Sequence, residues 1–185
     1  MTPSHPPTTP TSDTELLERA ARIRLLALDV DGVLTDGRLH YGNHDEELKS
    51  FHIFDGLGIK LLQRAGVEVA LITGRSSELV ARRAGELGIE EVVQGREDKL
   101  QALQELLARR ELTLPQVAYM GDDLPDLSAI RAAGLGLTVA SGHHFVRSHA
   151  DWCSRLRGGE GAVREAIEWL LKARGQLQES LEHYL

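Results

Sequence analysis

From Leu57 onward the chain switches between two hydrophobic periods at short intervals, and few folds satisfy that pattern. A helical stretch runs to Ala65 and stops at Gly66, after which Val67 to Ile72 reads as a buried strand. Ser77 to Leu87 is helical, Gly88 is a stop, and Glu91 to Val93 is a strand. The alternation continues with a helix from Glu97 to Arg110, a strand from Gln116 to Met120, a helix from Pro125 to Ala133 and a strand from Gly136 to Val139. Gly or Pro after each helix serves as a stop. Strands joined through helices lie parallel with right-handed crossovers, and both sheet faces then need helical cover. The sequence therefore predicts an α/β fold with a parallel sheet between two helical layers. A last helix, Ala162 to Ala173, puts Val163, Ala166, Ile167, Leu170 and Leu171 on one stripe; Gly175 ends it and leaves 176–185 as a C-terminal tail.

Upstream, Leu25 to Val30 reads as a first strand entering a turn at Gly32. Arg38 to Tyr41 and Glu47 to Ile53 flank Gly42-Asn43, the signature of a hairpin projecting from the sheet. Asp13 is a plausible N-cap for a short helix facing inward through Leu16, Leu17, Ala20 and Ala21. Residues 1–12, rich in Pro, Thr and Ser, read as a disordered tail. At 185 residues the chain holds one domain, here 13–175. A formal charge of −7 and 4% aromatic residues argue against a nucleic-acid surface. No apolar stretch is long enough to span a bilayer and no signal-peptide layout stands at the N-terminus, so a cytoplasmic location and no membrane partner are expected. Cys153, the single cysteine, excludes an internal disulfide and reads as a packing residue.

The chemistry-bearing residues recur where strands end. Asp29 and Asp31 close the first strand, and in an open parallel sheet the crevice outside the carboxyl ends is where ligands bind. Two carboxylates this close repel unless a cation or a shared proton intervenes, which suggests a metal site; an Asp-rich turn is the plainer reading of these two alone. Val67 to Ile72 runs into Thr73-Gly74-Arg75, a hydroxyl and free backbone N–H groups suited to an anion. Lys99 stands near a helix start, where the dipole disfavours a cation. Met120 leads into Gly121-Asp122-Asp123-Leu124-Pro125-Asp126, more carboxylates than helix capping needs.

In this order the four strand ends resemble the haloacid dehalogenase superfamily of aspartate-nucleophile phosphotransferases. Asp29 and Asp31 match its first motif, Thr73 the second, Lys99 the third, and Asp122 with Asp123 and Asp126 the fourth. The resemblance implies a Rossmann-like sheet, Asp29 as nucleophile, Asp31 as general acid and base, and Thr73 and Lys99 as phosphate stabilisers. It implies Mg²⁺ held by Asp29, Asp122 and the backbone carbonyl of Asp31. The gaps Asp36 to Leu57 and Thr73 to Lys99 are too short for a cap domain, so the enzyme reads as capless.

Further segments sharpen the likeness: Asp31 to Gly37, Phe51 to Lys60, Ile72 to Arg75 and Gly158 to Glu165 are similar to the family of 3-deoxy-D-manno-octulosonate 8-phosphate phosphatases, which serve lipopolysaccharide precursor synthesis. That family implies a homotetramer built partly through the hairpin, with the C-terminal tail helping to close the site. Substrate contacts then fall on Asp31, His52, Ile53, Phe54, Asp55, Gly56, Lys60, Arg75, Lys99 and Arg83, the last reaching from a neighbouring subunit. Phe54 departs from the family, which often has Arg there, and Lys60 stands where Arg is also found. Fewer bidentate donors leave a nine-carbon 2-keto acid sugar phosphate as the alternative substrate. A phosphomutase would need the missing cap, and a receiver-type module would need an acceptor Asp where Gln94-Gly95 stands. A silent interaction module ranks below these because no motif residue is lacking. His143, His144 and His149 read as surface histidines, while Arg155 to Gly159 fits either a backbone anion loop or a plain turn.

Overall fold

The computed structural model describes residues 13–43 and 47–185. The segment 1–12, expected to be a disordered tail, lies outside them. Helix α1 (Asp13–Ala21) leads into β1 (Leu25–Leu28). A separate antiparallel pair follows, β2 (His40–Tyr41) and β3 (Glu47–Leu48), in the register His40 to Leu48 and Tyr41 to Glu47. Then come α2 (Ile53–Arg64), β4 (Glu68–Ile72), α3 (Glu78–Leu87), β5 (Glu91–Val93), α4 (Lys99–Arg110) and β6 (Val117–Met120). The chain finishes with α5 (Leu127–Ala132), β7 (Leu135–Thr138), α6 (His144–Arg147), β8 (Trp152–Cys153), α7 (Ala162–Ala173) and α8 (Leu177–Glu182).

Six parallel strands form the sheet in the order β5-β4-β1-β6-β7-β8. Successive residues of a strand face opposite sides, so the buried strands feed two cores. Leu26 and Leu28 of β1, with Val69, Leu71, Ala118 and Met120, pack under α2, α3 and α7. Leu25 and Ala27, with Ala70, Ile72, Val117 and Tyr119, pack under α4 and α5. The predicted sandwich is present, and β1, centrally placed, carries Asp29 to the middle of the carboxyl edge.

Several element bounds differ from the sequence expectation, each for a local reason. Helix α2 begins at Ile53 rather than near Leu57, because the His52 imidazole caps it by accepting the Phe54 N–H at 3.2 Å. The second hairpin segment is consequently a strand only over Glu47–Leu48. Helix α4 begins at Lys99 and ends without Gly or Pro: Glu111 itself takes the left-handed conformation, φ 53°. The stretch at Pro125 opens as a 3₁₀ turn over Leu124–Asp126 before α5 starts. Strand β8, two residues long, is too short to show a period. The C-terminal tail contains α8, and beyond it the Tyr184 hydroxyl accepts a hydrogen bond from Arg64 at 3.0 Å.

Candidate active site

The loop after β1 is held from three directions. Its first N–H, that of Asp29, donates to the Met120 carbonyl at 2.9 Å, continuing the pairing of β1 with β6. The Thr35 hydroxyl accepts the N–H groups of Gly32 at 3.3 Å and Gly37 at 3.2 Å. Gly32 has φ +97°, and a Cβ there would lie 2.1 Å from an Asp122 carboxylate oxygen. Only glycine admits both that conformation and that approach. The turn at Gly158-Gly159 buttresses the loop: the Gly159 N–H donates to the Val33 carbonyl at 3.0 Å, and a Cβ on Gly158 would collide with the Gly32 carbonyl. Gly158 and Gly159 thus serve as a packing turn against the loop after β1.

Four strand ends then converge. Lys99, at the first position of α4, lies 3% exposed, with Nζ 2.5 Å from Asp29 Oδ1, 2.7 Å from the Ile72 carbonyl and 3.4 Å from Asp126 Oδ1. Thr73 is buried directly beyond β4, the neighbour of β1, and its hydroxyl accepts the Arg75 N–H at 3.4 Å. The acidic cluster after β6 divides its labour. Asp123 caps the 3₁₀ turn by accepting the Leu124 N–H at 2.8 Å. Asp126, buried, accepts the Tyr119 hydroxyl at 2.8 Å and the N–H groups of Asp122 and Asp123 at 3.2 and 3.3 Å. That leaves Asp122 free to face Asp29.

Carboxylate oxygens of Asp29, Asp122 and Asp126 all lie within 4.8 Å of one another. Burial, then the charge of Asp126, pushes Asp29 up to about 7 despite the opposing Lys99. Burial, then the charges of Asp29 and Asp126, pushes Asp122 up to about 7. Keeping these groups ionised at neutral pH requires more positive charge than one lysine supplies, and an oxygen-lined site of this kind suits a hard divalent cation. The sign of the pH effect follows. Both folded values exceed the ordinary carboxylate value of 3.8, so the native state holds extra protons between about 4 and 7 and loses stability as pH rises through that window. Thermal melts in chelator should fall from about pH 5 to about pH 7.5, and Mg²⁺ should raise the melting temperature more at the higher pH. Equal Mg²⁺ shifts at both would contradict this electrostatic account.

Arg75 is half exposed, 3.7 Å from Glu47. Asp55 is 1% exposed and turned inward, where it caps α7 by accepting the Arg164 N–H at 2.8 Å; burial raises its pKa. Gly56 lies under the Arg83 guanidinium, which stacks on Phe51 at 5.9 Å and pairs with Glu86 at 3.3 Å. Lys60 is half-buried on α2, whereas Ile53 and Phe54 are exposed. Asp55 and Gly56 thus have packing roles that helical rotation assigns them. His143 and His149 are exposed and bond locally around α6, His143 as its cap. Sequence reasoning missed Tyr119, whose hydroxyl in an aliphatic strand had to find a partner, and Lys49, whose ammonium is ion-paired with Asp31.

The sequence pattern of the haloacid dehalogenase-like hydrolase family matches residues 86–167. The 3-deoxy-D-manno-octulosonate 8-phosphate phosphatases KdsC of Yersinia pestis and Escherichia coli K12 are each 45% identical to this chain. The alignments cover 89% and 90% of it and 88% of each relative. The crystal structure of the Moraxella catarrhalis phosphatase of the same name, in complex with magnesium ion, phosphate ion and KDO, superposes with a TM-score of 0.92. It is 43% identical, over 94% of this chain and 100% of that one.

Proposed function

The chain belongs to the family of 3-deoxy-D-manno-octulosonate 8-phosphate phosphatases, haloacid dehalogenase-like hydrolases, and from that membership and its own site we propose that it hydrolyses 3-deoxy-D-manno-octulosonate 8-phosphate to the free sugar acid and inorganic phosphate. The observation that carries the reading is the meeting of Asp29, Asp122 and Lys99 at one sheet edge. Asp29 attacks phosphorus and forms an aspartyl-phosphate as the ester bond breaks, dividing one hard displacement into two easier ones. Asp31 gives its proton to the departing sugar oxygen and then, as a carboxylate, takes one from the water that cleaves the acyl-phosphate. Lys99, the Thr73 hydroxyl and the N–H groups around Gly32 and Gly74 meet the charge spread over the phosphoryl oxygens. Mg²⁺, held by Asp29, Asp122 and the Asp31 carbonyl, offsets the negative charge that carboxylate and phosphate bring together.

Arg75 joins Lys99 at the phosphoryl end in this reading, and Lys60 and Arg83 are the basic groups left for the sugar acid, Arg83 across a subunit boundary. The assembly is a homotetramer. Its support is the large apolar side chains left exposed on the hairpin and at the start of α2: Tyr41 (73%), Leu48 (68%), Ile53 (74%) and Phe54 (58%). Light scattering should give the mass of four chains, and Tyr41→Glu with Leu48→Glu should break the assembly. A cytoplasmic location completes the reading; among the described residues no helix is long and apolar enough to cross a membrane. Phosphate release across a panel of sugar phosphates with Mg²⁺ tests the substrate. The eight-carbon acid phosphate should lead, its nine-carbon 2-keto acid relative should follow, and glucose 6-phosphate should be poor. A preference for the neutral hexose phosphate would overturn it.

A further inference from the structure

Lys49 is a buried charge with no part in the scheme above. Its side chain is 2% exposed, ion-paired with Asp31 Oδ1, and its Nζ lies 3.6 Å from Glu47. Lysine is among the residues least often buried, and it stays buried when paired. Glu47 extends the connection: it accepts the Ser77 hydroxyl at 3.1 Å and stands 3.7 Å from Arg75 in the loop after β4. Alternation at β3 turns Glu47 and Lys49 inward and leaves Leu48 exposed. The hairpin, outside the main sheet, thus reaches both the first and second strand-end loops.

Asp31 is held asymmetrically. Lys49 occupies Oδ1, whereas Oδ2 is buried and has no hydrogen-bond partner among the described residues. A group that must give and then take a proton needs one oxygen fixed and the other available. We propose that Lys49 is a positioning residue for Asp31: it clamps Oδ1 so that Oδ2 meets the leaving oxygen and then the attacking water, making a docked hairpin a condition of proton transfer. This rests on the proposed phosphatase reaction.

The test uses the full chain with saturating Mg²⁺ and the eight-carbon acid phosphate. Lys49→Met should lower kcat by about 10- to 100-fold, a part of the roughly 10²–10⁴-fold that general acid–base catalysis contributes, and change KM by less than about twofold. Lys49→Arg, which keeps the charge, should recover part of that loss. In an Asp31→Asn background Lys49→Met should cost little more, because the two act as a unit. A raised KM with kcat intact would make Lys49 a substrate contact, and equal losses in both backgrounds would make it merely structural; each overturns the proposal. If Lys49→Met does not fold, Lys49→Arg and Lys49→Gln decide by the same comparison. An active wild type with additive losses defeats this inference alone. A wild type inactive on every sugar phosphate defeats the reaction and the inference together.

Discussion

Asp29→Asn should give a folded protein whose turnover of phosphate esters is lower by on the order of 10⁴-fold or more. An amide is nearly the size of a carboxylate but cannot attack phosphorus to form an acyl-phosphate. Folding should survive because Lys99 retains the Ile72 carbonyl at 2.7 Å and Asp126 at 3.4 Å. The variant also removes a charge that burial opposes, so its metal-free melting temperature at about pH 7.5 should not fall below wild type. Steady-state phosphate release and a thermal melt check both halves. Hydrolysis within about 10-fold of wild type would take the nucleophile away from Asp29.

Lys99→Met is the second large loss. The ammonium is 2.5 Å from Asp29 and is the charge that opposes the upward push of burial on that carboxyl. Without it Asp29 moves further above about 7 and stays protonated at neutral pH, and the phosphoryl oxygens lose a cation. A drop in kcat on the order of 10³-fold follows from losing that charge stabilisation. Breaking a buried ion pair costs about 3–5 kcal/mol when the orphaned charge cannot be neutralised. Here it can be, by a proton, so the destabilisation should be small near pH 5 and grow as pH rises. Melting curves of variant and wild type across that range read the divergence. Parallel curves would show that Lys99 does not hold Asp29 in its charged form.

The layering was legible because β1, β4 and β6 are buried on both faces and their short apolar runs alternate with longer helical stripes ending in Gly. The site was legible because chemistry falls at strand ends: Asp29, Thr73, Lys99 and Asp122 are each one or a few residues past an apolar run or at a helix start. What escaped depends on contacts made across sequence. The resemblance singled out Asp122, but nothing local shows why Asp126 is committed elsewhere, to Tyr119 and two N–H groups. Lys49 reads as an ordinary charge on a polar hairpin until the fold seats it on Asp31. The packing of Asp55 and Gly56 was not legible either: a helix beginning at Ile53 turns both inward and leaves Phe54 outside. The stop after α4 escaped because Glu111 adopts a conformation usually left to Gly.

The most direct test of the central claim is to catch the covalent intermediate. Wild-type protein with Mg²⁺ and the eight-carbon acid phosphate is acid-quenched during turnover and treated with borohydride, which reduces an acyl-phosphate, and the peptides are mapped by mass spectrometry. Reduction of the side chain at position 29, absent without substrate and absent in Asp29→Asn, is the predicted result. Turnover with no modified residue, or with modification at Asp31 or Asp122 instead, would contradict it.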